Sequence, residues 1–367
     1  IISIDLTDSR IQYDADHIRS NWPIVYSSST TLLLAEPSND WWWYWDNMDI
    51  TEATNIHAFD ISEPGSTSYL SSGRINGTIL NQFSLSVYDE TIRIVSTTGQ
   101  WGRWWIDNPE PMENHVIILE DSLKSGVRGL FQIGHLGGIA LDERVWSVRF
   151  VDEIAYIVTF EQIDPLWTIN LSDPKNPRII GELEVPGVST YIHPLLDSNH
   201  LLTIGFPGGE DGLGLDWSRT QISLFNVSNL SSPSLEDTLP LTPAYTDKNC
   251  LNIRNCGWSW SFSEATYEHK AFTYWEHLNL LAIPLSTHRY VYDTIEEDGR
   301  TYTSYGYEYI SMLKLVYVDA ENNSLSIYGE VNHTDLYGDV NYFWSGDISV
   351  RRSIFMGDFV YSFSDAG

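Results

Sequence analysis

The feature that most constrains how this chain can fold is a phrase repeated in degenerate form along it. Two apolar strands meet at a tight polar turn, and a third strand follows that reads apolar, Asp or Asn, apolar, Ser or Thr. The turn recurs as Asp89-Glu90, Asp152-Glu153, Asp197-Ser198-Asn199, Glu276-His277 and Gly357-Asp358. The third-strand phrase recurs as Ile4-Asp5-Leu6-Thr7, Phe59-Asp60-Ile61-Ser62, Ile169-Asn170-Leu171-Ser172 and Phe225-Asn226-Val227-Ser228. A supersecondary unit that cannot bury both of its own faces must stack on copies of itself, so such repeats mark radial or stacked arrays. With about four short strands per unit, the expected fold is an all-β propeller of four-stranded antiparallel blades.

On this reading the 367 residues form one domain, with modules near 20–77, 78–138, 143–188, 189–245 and 263–333. Residues 1–18 supply a third and fourth strand and 347–367 a first and second. Six blades result if these remnants share a blade, and more if the parent chain is longer. The absence of an initiating Met and the strand-like opening Ile1-Ile2-Ser3-Ile4 suggest a portion of a longer polypeptide. Gly, Pro, Asn and Asp interrupt the apolar runs every 8–12 residues, which leaves little room for helix. Three segments exceed ordinary loop length: 36–53, 206–219 with 242–262, and 286–308. Long connections on a rigid scaffold are where function concentrates.

The formal charge is −30, from 50 acidic against 20 basic residues. That excess repels phosphate backbones and anionic lipid, so nucleic acid and membrane surfaces are poor partners, whereas cations are favoured. No stretch approaches the roughly 20 apolar residues that span a bilayer. Cys250 and Cys256 are the two cysteines and sit close together in a polar loop, a pattern expected of a loop-clamping disulfide in an oxidising compartment. The sequons at Asn76, Asn170, Asn226, Asn229, Asn322 and Asn332 permit glycosylation of an exported chain.

A more specific pattern runs through Glu143-Arg144-Val145-Trp146-Ser147-Val148-Arg149-Phe150, Ala155-Tyr156-Ile157-Val158-Thr159-Phe160, Asp164-Pro165-Leu166-Trp167 and Asn170-Leu171-Ser172-Asp173-Pro174-Lys175-Asn176-Pro177. It continues in Tyr191-Ile192-His193-Pro194, Asn199-His200-Leu201-Leu202, Glu268-His269-Lys270-Ala271-Phe272 and Asp358-Phe359-Val360-Tyr361-Ser362-Phe363-Ser364-Asp365. These segments resemble the secreted prokaryotic proteins with a C-terminal β-propeller domain, distantly similar to WD40 propellers. The resemblance implies a secreted or surface-exposed propeller and carries no established catalytic residues. The chain departs from it in lacking the N-terminal blades and in having tryptophan-rich insertions.

Three groups of residues are candidates for function. Polar residues on or beside the predicted inner strands, Arg149, Tyr191, His193, Glu268, His269, Arg351 and Arg352, could line a funnel with acid, base and anion-holding groups. Against this, a wet channel needs polar residues anyway, and Glu268 and His269, read as strand neighbours, point to opposite faces. Acidic, glycine-containing loops offer Asp211, Asp216, Glu297 and Asp298 as oxygen ligands for calcium, although none follows the EF-hand pattern. The aromatic groups Trp41, Trp42, Trp43 and Trp45, and Trp101, Trp104 and Trp105, suit stacking on sugars or anchoring a protein partner, and are expected on one face of the propeller.

These observations predict an extracellular or cell-surface binding and assembly module for protein or glycan partners, capable of homo- or hetero-assembly. The alternatives are a secreted hydrolase or lyase using the funnel residues, and a calcium-stabilised component of a surface layer or filament.

Overall fold

The computed structural model of the chain describes residues 1–7, 10–20, 22–38, 52–99, 111–160, 164–209, 214–242, 259–333 and 348–365. Helix among these is limited to single-turn 3₁₀ segments. The strands fall into two compact units, one of Ile1–Glu161 with Pro165–Glu182 and the other of Gln162–Asp164 with Leu183–Gly367.

The first unit opens with a two-stranded sheet, β1 (Ile2–Asp5) and β2 (Gln12–Ala15). A sheet of four antiparallel strands in chain order follows: β3 (Ile24–Ser27), β4 (Thr31–Pro37), β5 (Ala53–Asp60) and β6 (Ser68–Asn76). The next holds β7 (Leu85–Tyr88), β8 (Thr91–Thr98), β9 (Glu113–Lys124) and β10 (Val127–Ile139). A further one holds β11 (Arg144–Val151), β12 (Ile154–Phe160), β13 (Asp164–Asn170) and β14 (Arg178–Val185). In the second unit, β15 (Val188–Pro194), β16 (His200–Phe206), β17 (Gln221–Asn226) and β18 (Ser234–Pro240) repeat the pattern. A five-stranded sheet is built on β21 (Leu280–Glu297), which pairs with β19 (Ser259–Phe262), β20 (Thr273–Trp275) and β22 (Arg300–Asp319), and β22 pairs with β23 (Ser324–Asn332). The hairpin of β24 (Val350–Met356) and β25 (Phe359–Ser364) ends the unit.

The apolar runs of the central strands follow from burial on both faces. In β9, Ile117 and Leu119 join a core shared with the β3–β6 sheet. Val116 and Ile118, pointing the other way, join the core shared with the β11–β14 sheet. Because side chains alternate across a strand, a sheet sandwiched between two others needs apolar residues at consecutive positions, and each is worth about 2 kcal/mol when fully buried. In the second unit one core joins the β15–β18 sheet to the β19–β23 sheet, and another seats Val350 and Phe355 of β24 against Leu280 and Leu313.

The repeated phrase has a local cause. The Asp or Asn ends the third strand as an Asx turn, its Oδ1 accepting the N–H of the Ser or Thr two residues on: Asp5 from Thr7 at 2.8 Å, Asp60 from Ser62 at 2.9 Å, Asn170 from Ser172 at 2.8 Å and Asn226 from Ser228 at 3.0 Å. The residue between them donates its N–H to the carbonyl of the preceding hairpin turn, Ile61 to Thr30, Leu171 to Glu153 and Val227 to Asn199, at 2.7–2.8 Å. One short motif thus stops the third strand and ties it to the turn between the first two.

The hairpin turns are where the sequence places them. Asp89, Glu90, Asp152, Ser198 and Gly357 take positive φ, as tight hairpin turns require. Sheets also meet at close range: a Cβ on Gly134 of β10 would lie 2.0 Å from the Pro174 carbonyl oxygen, so no other residue fits there.

The segment 286–308 is a paired ribbon rather than a loop. β21 and β22 stay in register from Leu280↔Tyr317 out to Glu297↔Arg300. The acidic tip is a hairpin turn with φ of 53° at Asp298 and 74° at Gly299.

Candidate functional site

A cleft of about 270 Å³ opens in the second unit between β19, β21 and β24. Trp260 and Phe262 alternate onto one face of β19, with ring centroids 6.1 Å apart and planes within 25°. Ser263 ends the strand: its hydroxyl donates to the Pro284 carbonyl at 2.6 Å and accepts from the Ala265 N–H at 3.3 Å, starting a 3₁₀ turn. The turn brings Tyr267 over Phe262, 5.5 Å away at 28°, which completes a row of three rings. Phe262 is 36% exposed and Tyr267 67%.

The opposite wall is charged. Adjacent strand residues normally face opposite ways, but the β24–β25 register shifts between Val350 and Arg352. Both Arg351 and Arg352 reach Glu264, with Arg351 Nε 3.0 Å from Oε2 and Arg352 Nη1 2.8 Å from Oε1. Arg351 Nη1 also bonds Asp365 Oδ2 at 3.0 Å. Burial pushes the Glu264 carboxyl up, but hydrogen bonds from the two guanidiniums outweigh it and hold the group below the ordinary range. The Glu264 and Asp365 bonds raise Arg351 in turn. At the base, the Tyr309 hydroxyl bridges Ser286 at 3.0 Å and Ser349. Beneath, His288 packs between Trp260 and Tyr309, each 4.8 Å away, and burial pushes its imidazole down to about 4.

β21 and β22 continue past the cleft. Among the described residues, partners flank them only as far as Arg289, which pairs with Ser259 of β19, and 290–297 and 300–307 pair with each other as a ribbon of eight residue pairs. At ~3.3 Å per residue this is roughly 26 Å long. Register places Tyr290 opposite Tyr307 and Tyr292 opposite Tyr305.

The predicted funnel residues separate. Arg149 belongs to the first unit, where its guanidinium lies 4.8 Å from the Phe83 ring centroid. Tyr191, His193 and His269 do come together in the second unit: Tyr191 is 6.4 Å from both imidazoles, and Phe272 packs 5.1 Å from Tyr191 and 5.4 Å from His193. Glu268 and His269 are not strand neighbours. They start a 3₁₀ turn, and the Glu268 Oε1 to His269 Nδ1 distance is 3.3 Å, so the expectation of opposed side chains is corrected. Arg351 and Arg352 serve the cleft instead.

Of the calcium candidates, Asp216 spends its carboxylate on the Ser218 N–H and on Arg219 Nε, at 3.0 and 3.1 Å. Asp298 is the hairpin turn residue, Glu297 ends the ribbon strand, and Asp211 lies outside the described residues. Glu113, His115 and His135 gather on β9 and β10, with His115 Nδ1 3.3 Å from His135 Nε2. Among the described residues, however, no three such side chains converge as metal ligands. Trp41, Trp42, Trp43, Trp45, Trp101, Trp104, Trp105, Cys250 and Cys256 also lie outside the described residues. Of the sequon asparagines, Asn76, Asn229 and Asn322 are exposed.

Glu264 and the Phe262–Tyr267 pair were not singled out from the sequence. The carboxylate meets its guanidiniums from 87 and 88 residues away, and no local spacing announces that. The Asp298-Gly299 pair was a usable signal for the ribbon, being a strong hairpin-turn dipeptide.

Successive antiparallel four-stranded sheets stacked face to face through shared apolar cores are the construction of a β-propeller. The chain belongs to the Beta propeller domain family, whose model matches residues 1–367. It is 32% identical over 251 residues to an uncharacterised protein of Methanocaldococcus jannaschii, covering 68% of this chain and 33% of that one. It is 36% identical over 159 residues to an uncharacterised protein of Archaeoglobus fulgidus, covering 43% and 21%. The matched region is thus a third or less of each relative's length. Among solved structures, the Nup133 β-propeller domain of Vanderwaltozyma polyspora aligns over 98% of this chain and 84% of its own at 11% identity, with a TM-score of 0.40. No helix among the described residues is long and apolar enough to cross a membrane.

Proposed function

We propose that this chain is a binding and assembly module acting outside the cell or at its surface, and that the β21–β22 ribbon grips a protein partner. The ribbon carries the reading. Beyond Arg289 its eight residue pairs have no third strand among the described residues, so both edges offer backbone donors and acceptors for strand addition. A two-stranded ribbon is marginal by itself, which makes a bound partner the natural source of its order. Tyrosine supplies large, rigid, amphipathic contact area at little entropic cost, and the register pairs Tyr290 with Tyr307 and Tyr292 with Tyr305.

Charge narrows the partner. Asp293, Glu296, Glu297 and Asp298 outnumber Arg300 along the ribbon, and the whole chain carries −30, so a basic protein surface is favoured and an anionic one repelled. The exposed asparagines of three sequons support an exported location, where they can be modified.

The test replaces 290–307 by Asn-Gly, joining Arg289 to its register partner Glu308. The shortened protein is expected to keep its strand spectrum and thermal transition while losing the partner recovered by cross-linking on cells of the source organism. An unchanged set of cross-linked partners overturns the proposal.

A further inference from the structure

We infer that the cleft between β19 and β24 is a saccharide site that takes a neutral hexopyranose, free or as the terminal residue of a glycan. The inference is independent of the ribbon and rests on the two walls of the cleft. One wall is the exposed end of a parallel ring row, Phe262 and Tyr267, seated on Trp260. A sugar ring presents a face of C–H groups that packs on such an aromatic plane, while its edge presents hydroxyls. The other wall answers that edge with groups already fixed in place. Arg351 is held by Glu264 and Asp365, and the hydroxyls of Ser286 and Ser349 are tied to Tyr309.

Charge selects among ligands. Arg351 and Arg352 are matched by Glu264 and Asp365, all within 3.0 Å, so the wall is formally neutral. An anion meets two carboxylates and a cation two guanidiniums, whereas a polyol can accept from one group and donate to another. At about 270 Å³ the cleft lies just below the ~300–1,000 Å³ range of drug-sized pockets, which suits one pyranose ring. The fixed donors and acceptors also explain why four charged groups gather at a half-open aromatic surface, where an apolar lining would pack with less desolvation.

The test is saturation-transfer NMR on the intact chain with the methyl α- and β-glycosides of glucose, galactose, mannose and N-acetylglucosamine, and with N-acetylphenylalanine amide as the peptide control. Transfer to at least one glycoside is expected, strongest on the C–H protons of one ring face, with millimolar affinity of about −4 kcal/mol. Tyr267→Ala should abolish it, Tyr267→Phe should keep it, and Asp365→Asn should weaken it by about fivefold, one charged hydrogen bond becoming neutral. Tyr267 and Asp365 are exposed, so these variants leave the fold intact, and an unchanged thermal transition checks this. No transfer to any glycoside overturns the inference, as does transfer that survives Tyr267→Ala. Transfer to the amide alone, lost in Tyr267→Ala, also overturns it and makes the cleft a peptide side-chain site.

Discussion

Replacing Asn114 by Ala should destabilise the first unit by about 3 kcal/mol, because this one side chain holds a turn that cannot hold itself. Asn114 is fully buried in β9. Its Oδ1 accepts from the Thr97 hydroxyl at 2.7 Å, and its Nδ2 donates to the carbonyls of Ile139 and Glu143, both at 3.0 Å. The turn it holds contains two non-glycine residues in the left-handed region, Ala140 at φ 47° and Asp142 at φ 67°, each costing on the order of 1 kcal/mol. Alanine strands the buried Thr97 hydroxyl and the Ile139 carbonyl and frees the turn to relax. Three lost bonds at roughly 1 kcal/mol each give the figure, and relaxation lets Glu143 recover some of it from water. For a unit of this size the thermal midpoint should fall by about 6–12 °C. The readouts are circular dichroism melting and amide exchange, with faster exchange confined to 139–144. Asn114→Asp sharpens the test: the near-isosteric carboxylate cannot donate to the carbonyls unless protonated. Its pKa should be raised in the folded chain, so the variant's stability is retained below the unfolded carboxyl pKa and lost as pH rises through the folded one. A midpoint within about 2 °C of the parent for Asn114→Ala, which amounts to less than one hydrogen bond, refutes the reasoning.

Two further outcomes follow from single sites. The His288 imidazole should titrate near 4 by NMR, and because its folded pKa lies below the unfolded value of about 6.5, its contribution to stability is complete above that pH and lost as pH falls towards 4. A titration midpoint in the ordinary imidazole range contradicts its packing between Trp260 and Tyr309. Gly134→Ala forces β10 away from the Pro174 carbonyl, which a Cβ would approach to 2.0 Å, and should cost at least 2 kcal/mol in chemical denaturation, whereas Gly126→Ala, at a site with no atom within 4 Å, should cost only the strain of its positive φ.

What the amino-acid sequence determined is what local chemistry can specify. The Asx turns at Asp60, Asn170 and Asn226 act over two residues, and the hairpin turns at Asp89-Glu90 and Asp152-Glu153 over four. Both read directly as strand ends, and strand ends at regular spacing define the fold class. The double-sided burial of β9 and β12 is likewise visible as the apolar runs Val116–Leu119 and Ile154–Val158, whereas the buried stretches of β8 and β16 are interrupted by polar residues such as Arg93 and Thr203. Only the tertiary structure decided the site. Glu264 meets Arg351 across 87 residues, and a shift of register in β24 turns Arg352 to the same carboxylate, an event that residue alternation predicts against. The ribbon was hidden for a different reason. Its mix of tyrosine, threonine and acidic residues shows no clean apolar alternation, so 286–308 reads as a loop until pairing across the Asp298-Gly299 turn sets its register. Periodicity reports where apolar surface must go. A binding surface is left out of the core, and its geometry is set by which distant strands the core brings together.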